Sequence, residues 1–506
     1  MRIKKQTVSY YSKNMKKELF ILVVILIVQI ATGFVTDVSA IDEDLKKMLR
    51  KATGITNEDV SAASRKKELT LFDAYALAVQ KTERMAIEGE NSIQAEERKL
   101  QAIETFLPFL SLRANKAFPG PDSNNKSIKQ SGASLYARQP IITGLKEISQ
   151  IQSSWADKRA REYQLYNNAG LLLSDIGAAF YSVLLAQRDL ANNEHLLELY
   201  FQTVAELKRR VNIGRSRQSE ILRTNAQIYS LQARIKSLRT GLEHSRLVLA
   251  TLIGLDSDFR LVDWIPLEKP AYTLADAQKL VEARWDVKAA LEQVDFAKAG
   301  VLAAYGLHLP SIYLEGSVVP NNWQGAQYGI DQRKKSLLYI TSPSPNYTLL
   351  SSSLNGGVPK KSREYYFSIG AEMPIFGGDI TFAKVREANS KQRQSDLILS
   401  QTVRHARQDI IDSFQTWESS QIELEAYKKA FTSAEENYRV VMGEYKLNLV
   451  TILDVLTTLT ALQTARDDYD RAQLQLKLNR IKLGVAINEF SGDKISILRS
   501  FYNQSR

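Results

Sequence analysis

The sequence predicts a mostly helical chain with a small set of membrane-crossing strands, built by internal duplication. Three observations carry this. First, the chain repeats itself at a fixed offset of 234 residues: Pro140-Ile141 matches Pro374-Ile375, Ile176 and Phe180 match Ile410 and Phe414, and Glu220-Ile221-Leu222 matches Asp454-Val455-Leu456. Such a period is too long for a solenoid unit and reads as one duplicated module. Second, all 12 prolines fall in 108–140, 266–270 and 310–374. Proline breaks helix interiors, so 141–265 and 375–506 are free to be helical. Third, runs of about ten residues in the proline zones alternate apolar and polar side chains, the length and period of a tilted bilayer-crossing strand.

The chain begins with a basic flank (Lys13, Lys16, Lys17), an apolar run from Leu19 to Ala31, and small residues at Val38-Ser39-Ala40. These are the parts of an export signal, expected over 1–40; the alternative is an uncleaved anchor helix. Residues 41–68 are charged and are expected to form a surface extension, as is the tail at 491–506. No later stretch is expected to approach 18 apolar residues, so further crossings are expected to use strands. The 506 residues include no Cys, which excludes disulfide and thiol chemistry. The net charge of +11 falls to +7 without residues 1–40. This mild excess accompanies no nucleic-acid module.

The first repeat is expected over 69–265. It has a leading helix from Thr70 to Glu104, strands at about 107–118 and 131–140, and a helical hairpin over 145–254. Its long arm, Lys146 to Asn212, would run about 100 Å at a rise of about 1.5 Å per residue. Ile176, Val183, Leu190, Leu197, Val204 and Val211 stand seven apart, a seam that needs a partner helix. The second repeat, 266–490, has a leading helix from Thr273 to Gly306, strands at about 309–320 and 364–374, and a hairpin over 379–490. Its seam is Ile410, Trp417, Leu424, Phe431, Tyr438 and Tyr445. Both seams stop where the chain can turn left-handed, at Asn212-Ile213-Gly214 and Leu447-Asn448-Leu449.

In the strands, Leu110, Leu112 and Ala114 oppose Ser111, Arg113 and Asn115. Ala133, Leu135 and Ala137 oppose Ser134, Tyr136 and Arg138. Ile312, Leu314 and Val318 oppose Tyr313, Glu315 and Ser317, and Phe367, Ile369 and Ala371 oppose Tyr366, Ser368 and Gly370. Four strands cannot close a barrel, and an open edge is not tolerated in hydrocarbon. Three chains would supply a closed 12-stranded β-barrel with a polar interior. The same symmetry would gather the helices into a hollow 12-helix α-barrel. The loop between the last two strands, roughly 320–364, carries Arg333-Lys334-Lys335 and Lys360-Lys361. These clusters are candidates for lipopolysaccharide phosphates or simply solvated.

Duplicated strand–strand–helical-hairpin modules behind an export signal resemble the TolC-like outer-membrane efflux family, over about Leu69 to Phe490. The specific pieces are Leu107-Pro108 and Leu309-Pro310 before the upward strands, and the strand–helix junctions Pro140-Ile141 and Pro374-Ile375-Phe376-Gly377-Gly378. To these is added Leu449-Val450-Thr451-Ile452-Leu453-Asp454-Val455-Leu456, followed by Ala465-Arg466-Asp467-Asp468-Tyr469. The resemblance implies a homotrimeric channel-tunnel, its barrel in outer-membrane lipid and its helices in the periplasm. It would be the passive exit duct of a tripartite efflux system, docking a periplasmic adaptor (membrane fusion protein) and an inner-membrane pump or ABC transporter; a type I protein-secretion exit is the alternative. It places a periplasmic aperture at Asp454, with Glu220 as the counterpart in the first hairpin. A second acidic position of the family is Thr457 here and a basic one is Val450. Asp454 would line the pore, or merely cap its helix. The tips Gly214, Arg215, Arg217, Asn448 and Leu449 would contact the adaptor. Without Cys there is no lipid-anchored mature N-terminus.

Catalysis is not expected. His195, His244, His308 and His405 lie far apart and make no metal-binding spacing, and Gly356-Gly357 and Gly377-Gly378 make no phosphate loop. No cofactor or metal is implied. A soluble periplasmic coiled-coil adaptor is the remaining alternative, though it would have one hairpin and no duplicated amphipathic strands.

Overall fold

The computed structural model describes residues 38–116, 131–263, 265, 272–319, 364–375 and 379–490. The signal core, the 320–363 loop with its basic clusters, Gly377, Gly378 and the 491–506 tail lie outside the described residues. The chain divides into two compact units, one of residues 1–95, 159–291 and 398–506, the other of 96–158 and 292–397.

In chain order the elements are α1 (Val38–Thr53), α2 (Asn57–Ser64), β1 (Glu68–Leu69), α3 (Leu71–Lys81), α4 (Glu83–Glu104), β2 (Phe109–Lys116), β3 (Ser131–Thr143), α5 (Lys146–Asn212), α6 (Gln218–Ile253) and β4 (Arg260–Leu261). There follow α7 (Leu274–Lys279), a 3-10 turn (Val281–Ala283), α8 (Trp285–Gly306), β5 (Ser311–Val319), β6 (Glu364–Glu372), α9 (Ile380–Lys446) and α10 (Ile452–Ala486). The two long arms, α5 and α9, each run 67 residues. The leading helices expected as single rods are both broken. Thr82 leaves the helix in extended backbone between α3 and α4, and the 3-10 turn separates α7 from α8.

In the first unit the apolar heptad rows are buried or half-buried. Ile176, Phe180 and Val183 of α5 join Tyr75 and Leu77 of α3, Leu249 and Ile253 of α6, and Ile481 of α10 in one core. A second core near the hairpin ends gathers Leu196, Tyr200 and Leu207 with Ile221, Ile228, Val455 and Leu459. The capping boxes Thr70/Asp73 and Thr273/Asp276 start α3 and α7. In each, hydroxyl and carboxylate satisfy backbone N–H groups that the first turn would leave orphaned.

Two expectations are corrected here. Residues 41–68 are not a surface extension throughout: Leu49, Ala52 and Ile55 around the end of α1 and Val60 and Ala63 of α2 are buried in the main core. Leu49 and Ala52 in one helix, and Val60 and Ala63 in the other, stand three apart, which gives each helix one side to bury. The chain also holds a second apolar window, within α5, of mean hydropathy 1.7 over 18 residues. From Ala169 to Ala186 only Asp175 is charged. Leu172, Leu173, Ile176 and Phe180 on this stretch are buried in the unit's own core, which is what a core helix requires of its composition.

The second unit holds a four-stranded antiparallel sheet in the order β2-β3-β5-β6. The register puts Leu112 opposite Leu135, Leu135 opposite Val318, and Leu314 opposite Ile369. These side chains form one face, and Leu110, Leu112, Phe367 and Ile369 on it are exposed. The other face is tied together: Tyr136 donates to Glu315 at 2.8 Å, Arg138 lies 3.6 Å from the same carboxylate, and Arg113 and Arg138 stack over Tyr136 and Tyr313. The sheet ends on β2 and β6, so each keeps one side unpaired within it.

Pro140 sits inside β3 at a register shift between Pro140 and Ile142. There, an irregularity tolerates the missing N–H. Beyond it, Gly144 (φ +59°) meets Gly306 so closely that a Cβ on either would collide with the other's carbonyl oxygen.

Candidate functional site

The two hairpin tips close in the same way. Gly214 takes φ +73° and Asn448 φ +62°. At the first tip, Arg215 N–H donates to Arg210 O at 2.8 Å; at the second, Leu449 N–H donates to Glu444 O at 2.9 Å. Each bond spans five residues around a left-handed residue, the Schellman closure that satisfies last-turn carbonyls. Glycine reaches that conformation without a Cβ penalty, and asparagine is among the few side chains that tolerate it.

The tips are also bonded to each other. Arg210 donates from Nη1 to Asn448 Oδ1 at 2.9 Å and to Tyr445 O at 3.2 Å. Its Nε donates to Glu206 at 3.1 Å, and its guanidinium lies 4.3 Å from the centre of the Tyr445 ring. Arg210 was not singled out from the sequence. Its signal was a basic side chain in the last turn of a helix, where free carbonyls and the helix dipole favour a cation.

The three aperture candidates have separate neighbours within the chain. Asp454 accepts from Thr451 N–H at 2.8 Å and from Thr451 Oγ1 at 2.6 Å. It is fully exposed, and the Thr451 hydroxyl and backbone donors hold its carboxyl below the ordinary aspartate range. Thr457 donates back to Leu453 O at 2.8 Å. Glu220 is half-buried in the first turn of α6, and its carbonyl accepts from Thr224 Oγ1. The contacts observed for Asp454 are therefore those of a helix cap. The tip candidates Arg215, Arg217, Asn448 and Leu449 are exposed, as is Gly214. Pro374 follows β6, while its companions Gly377 and Gly378 lie outside the described residues.

Farther along the hairpins, an acidic group joins α5 to α10. Asn192 donates to Asp467 at 3.1 Å and to Asp470 at 2.9 Å, and Arg188 reaches Asp470 at 3.3 Å and Gln473 at 2.7 Å. Partial burial, with the neighbouring Asp467 charge, pushes the Asp189 carboxyl above the ordinary range. Burial likewise raises Asp467 against the opposing hydrogen bond from Asn192. The sequence offered Asp467 only as part of a motif; its hydrogen-bond partner on α5, Asn192, lies 275 residues away and leaves no local trace.

An "Outer membrane efflux protein" family matches residues 271–489. "Outer membrane protein TolC" of Escherichia coli (strain K12) is 22% identical over 471 residues, covering 90% of this chain and 89% of the relative. Among solved structures, the outer membrane protein VceC of Vibrio cholerae superposes with a TM-score of 0.68 at 16% identity, covering 82% of this chain and 95% of that one. The open-state MtrE outer membrane channel of Neisseria gonorrhoeae gives a TM-score of 0.64 at 20% identity, covering 82% and 88%.

Proposed function

From the premise that the chain is a TolC-like outer-membrane efflux protein, we propose that it is the exit duct of a tripartite efflux system. Three copies close a 12-stranded barrel in the outer membrane and a 12-helix tunnel in the periplasm, and the tips dock a periplasmic adaptor and its inner-membrane pump. Each chain contributes two duplicated modules, 69–265 and 266–490. The observation that carries this reading is the sheet, which among the described residues pairs a bare apolar face with two free edges. In hydrocarbon an unpaired backbone edge costs several kcal/mol for each group, and association of copies edge to edge removes that cost. The polar face, with Arg113, Tyr136, Arg138 and Glu315, then lines a water-filled lumen.

Exposed apolar side chains along α9, such as Leu397, Ile422 and Val440, support the same assembly, since they supply faces for neighbouring helices. Asp454 of the three copies lines the narrow periplasmic end while it caps α10. The test is the mass of the detergent-purified mature chain together with its conductance in planar bilayers. A trimer that conducts supports the duct. A monomer that stays soluble without detergent removes it.

A further inference from the structure

The first tip is cationic and the second is apolar. Between Glu206 and Arg223 stand six cationic side chains against two carboxylates. Arg210 is committed inward to Asn448, Tyr445 and Glu206, and Arg209 lies 2.9 Å from the same Glu206. Lys208, Arg215, Arg217 and Arg223 are exposed, and among the described residues none of them pairs with a carboxylate. The second tip, from Glu444 to Asp454, carries one cation and two carboxylates. It presents Leu447 and Leu449, each 71% exposed, with Leu453 beside them. The Arg210–Asn448 bond holds the two tips together, so they offer one composite surface, positive on one side and greasy on the other.

We infer that this surface receives a helical-hairpin tip bearing carboxylates toward Arg215, Arg217 and Arg223 and an apolar side chain toward Leu447 and Leu449. This rests on the duct reading, which supplies the kind of partner, an adaptor. The charge pattern supplies its chemistry. An exposed ion pair contributes little singly, but a cluster of one sign steers encounter and rejects partners of like charge. The leucines exclude water at the centre of the contact, where a small number of buried side chains carry most of the affinity. Arg217 stands at the N-cap of α6 without a side-chain capping bond, so the fold does not require its charge.

The test uses the full mature chain in detergent and three synthetic antiparallel helical hairpins identical except in the loop: Asp-Leu-Asp, Ser-Leu-Ser or Lys-Leu-Lys. Binding is read by fluorescence anisotropy at low salt and at about 0.3 M, where screening is short-ranged. The acidic loop is expected to bind at least about tenfold tighter than the neutral one at low salt. That preference is expected to vanish in the Arg215→Glu, Arg217→Glu, Arg223→Glu variant. The Leu447→Ser, Leu449→Ser variant is expected to weaken binding of every loop. Equal binding of all three loops, preference for the basic loop, or no binding overturns the inference. So does polyglutamate binding as tightly as the acidic hairpin, which makes the patch a general polyanion surface. Bilayer conductance of the same preparations separates the two readings: a conducting wild type without loop preference leaves the duct standing and removes only this inference.

Discussion

Lys477 Nζ lies 2.7 Å from Asp263 Oδ2, and both side chains are about nine-tenths buried. Tyr181 and the Ile265 N–H also reach Asp263, on its other oxygen. This pair ties the segment after β4 to α10, joining parts of the chain that are 214 residues apart. Removing one member of a buried pair leaves the other charge unpaired, at about 3–5 kcal/mol. Lys477→Met is therefore expected to destabilise the helical unit by that amount, and Lys477→Met with Asp263→Asn by clearly less. Chemical denaturation followed by circular dichroism checks both, and equal losses would count against the pairing.

Arg210→Ala removes the bond between the tips. Hydrogen bonds from a charged donor contribute about 1.5–3 kcal/mol, and this guanidinium makes several. Amide exchange in the last turns of α5 and α9 is expected to quicken while the core around Ile176 and Phe180 stays protected. Open probability in planar bilayers is expected to rise. Unchanged exchange at both tips would show that Arg210 does not hold them.

Asp454→Ala separates the capping contact of this carboxylate from its proposed place in the pore. Loss of the Thr451 cap is expected to fray the start of α10. In the proposed trimer, loss of the three carboxylates is expected to lower cation selectivity in bilayers. The Thr451 contacts depress the carboxyl's pKa, so its capping contribution is present at neutral pH and is lost only as pH falls through that lowered value, below the usual aspartate range. Conductance and selectivity identical to wild type would reject the pore role and leave the cap.

Asp189 and Asp467 behave in the opposite sense. Their carboxyls titrate above the ordinary value of 3.8 in the folded chain, so the folded state binds more protons than the unfolded state in the window between. Stability from this site is therefore expected to rise as pH falls from neutral into that window. Arg234, Arg471, Asp470, Asn192 and Gln463 face the pair, and Arg188 holds Asp470 beside it. Asp189→Asn is expected to raise the melting temperature at pH 7 and to flatten its dependence on pH. A variant that melts below wild type at pH 7 would contradict this account.

The long helices were legible because their signals are local. Absence of proline and a heptad row of apolar residues marked α5 from Lys146 to Asn212, with Gly214 marking its end, and period-two alternation marked the faces of the sheet. The break at Thr82 was not legible, since neither glycine nor proline stands there and extended backbone at Thr82 carries no composition signature. The burial of α1 and α2 was obscured by Lys46, Lys47, Arg50 and Lys51, which coat the outer side of a helix whose inner side holds Leu49 and Ala52. The short parallel pairing of Glu68 with Arg260 and Leu69 with Leu261, and the Arg210 bond, depend on which distant segments meet. Periodicity carries no such information. At the candidate site Asp454 was found by its motif; its contact with Thr451, three residues away, is shown by the structure.

A chain whose sheet ends on two bare edges has a genetic consequence. If three copies share one pore, a defective allele expressed beside a normal one in equal amounts leaves only about one assembly in eight free of the damaged subunit. Lesions in the lumen or at the tips should then be dominant. Lesions that stop the edge strands from joining should be recessive, because such chains never enter the ring.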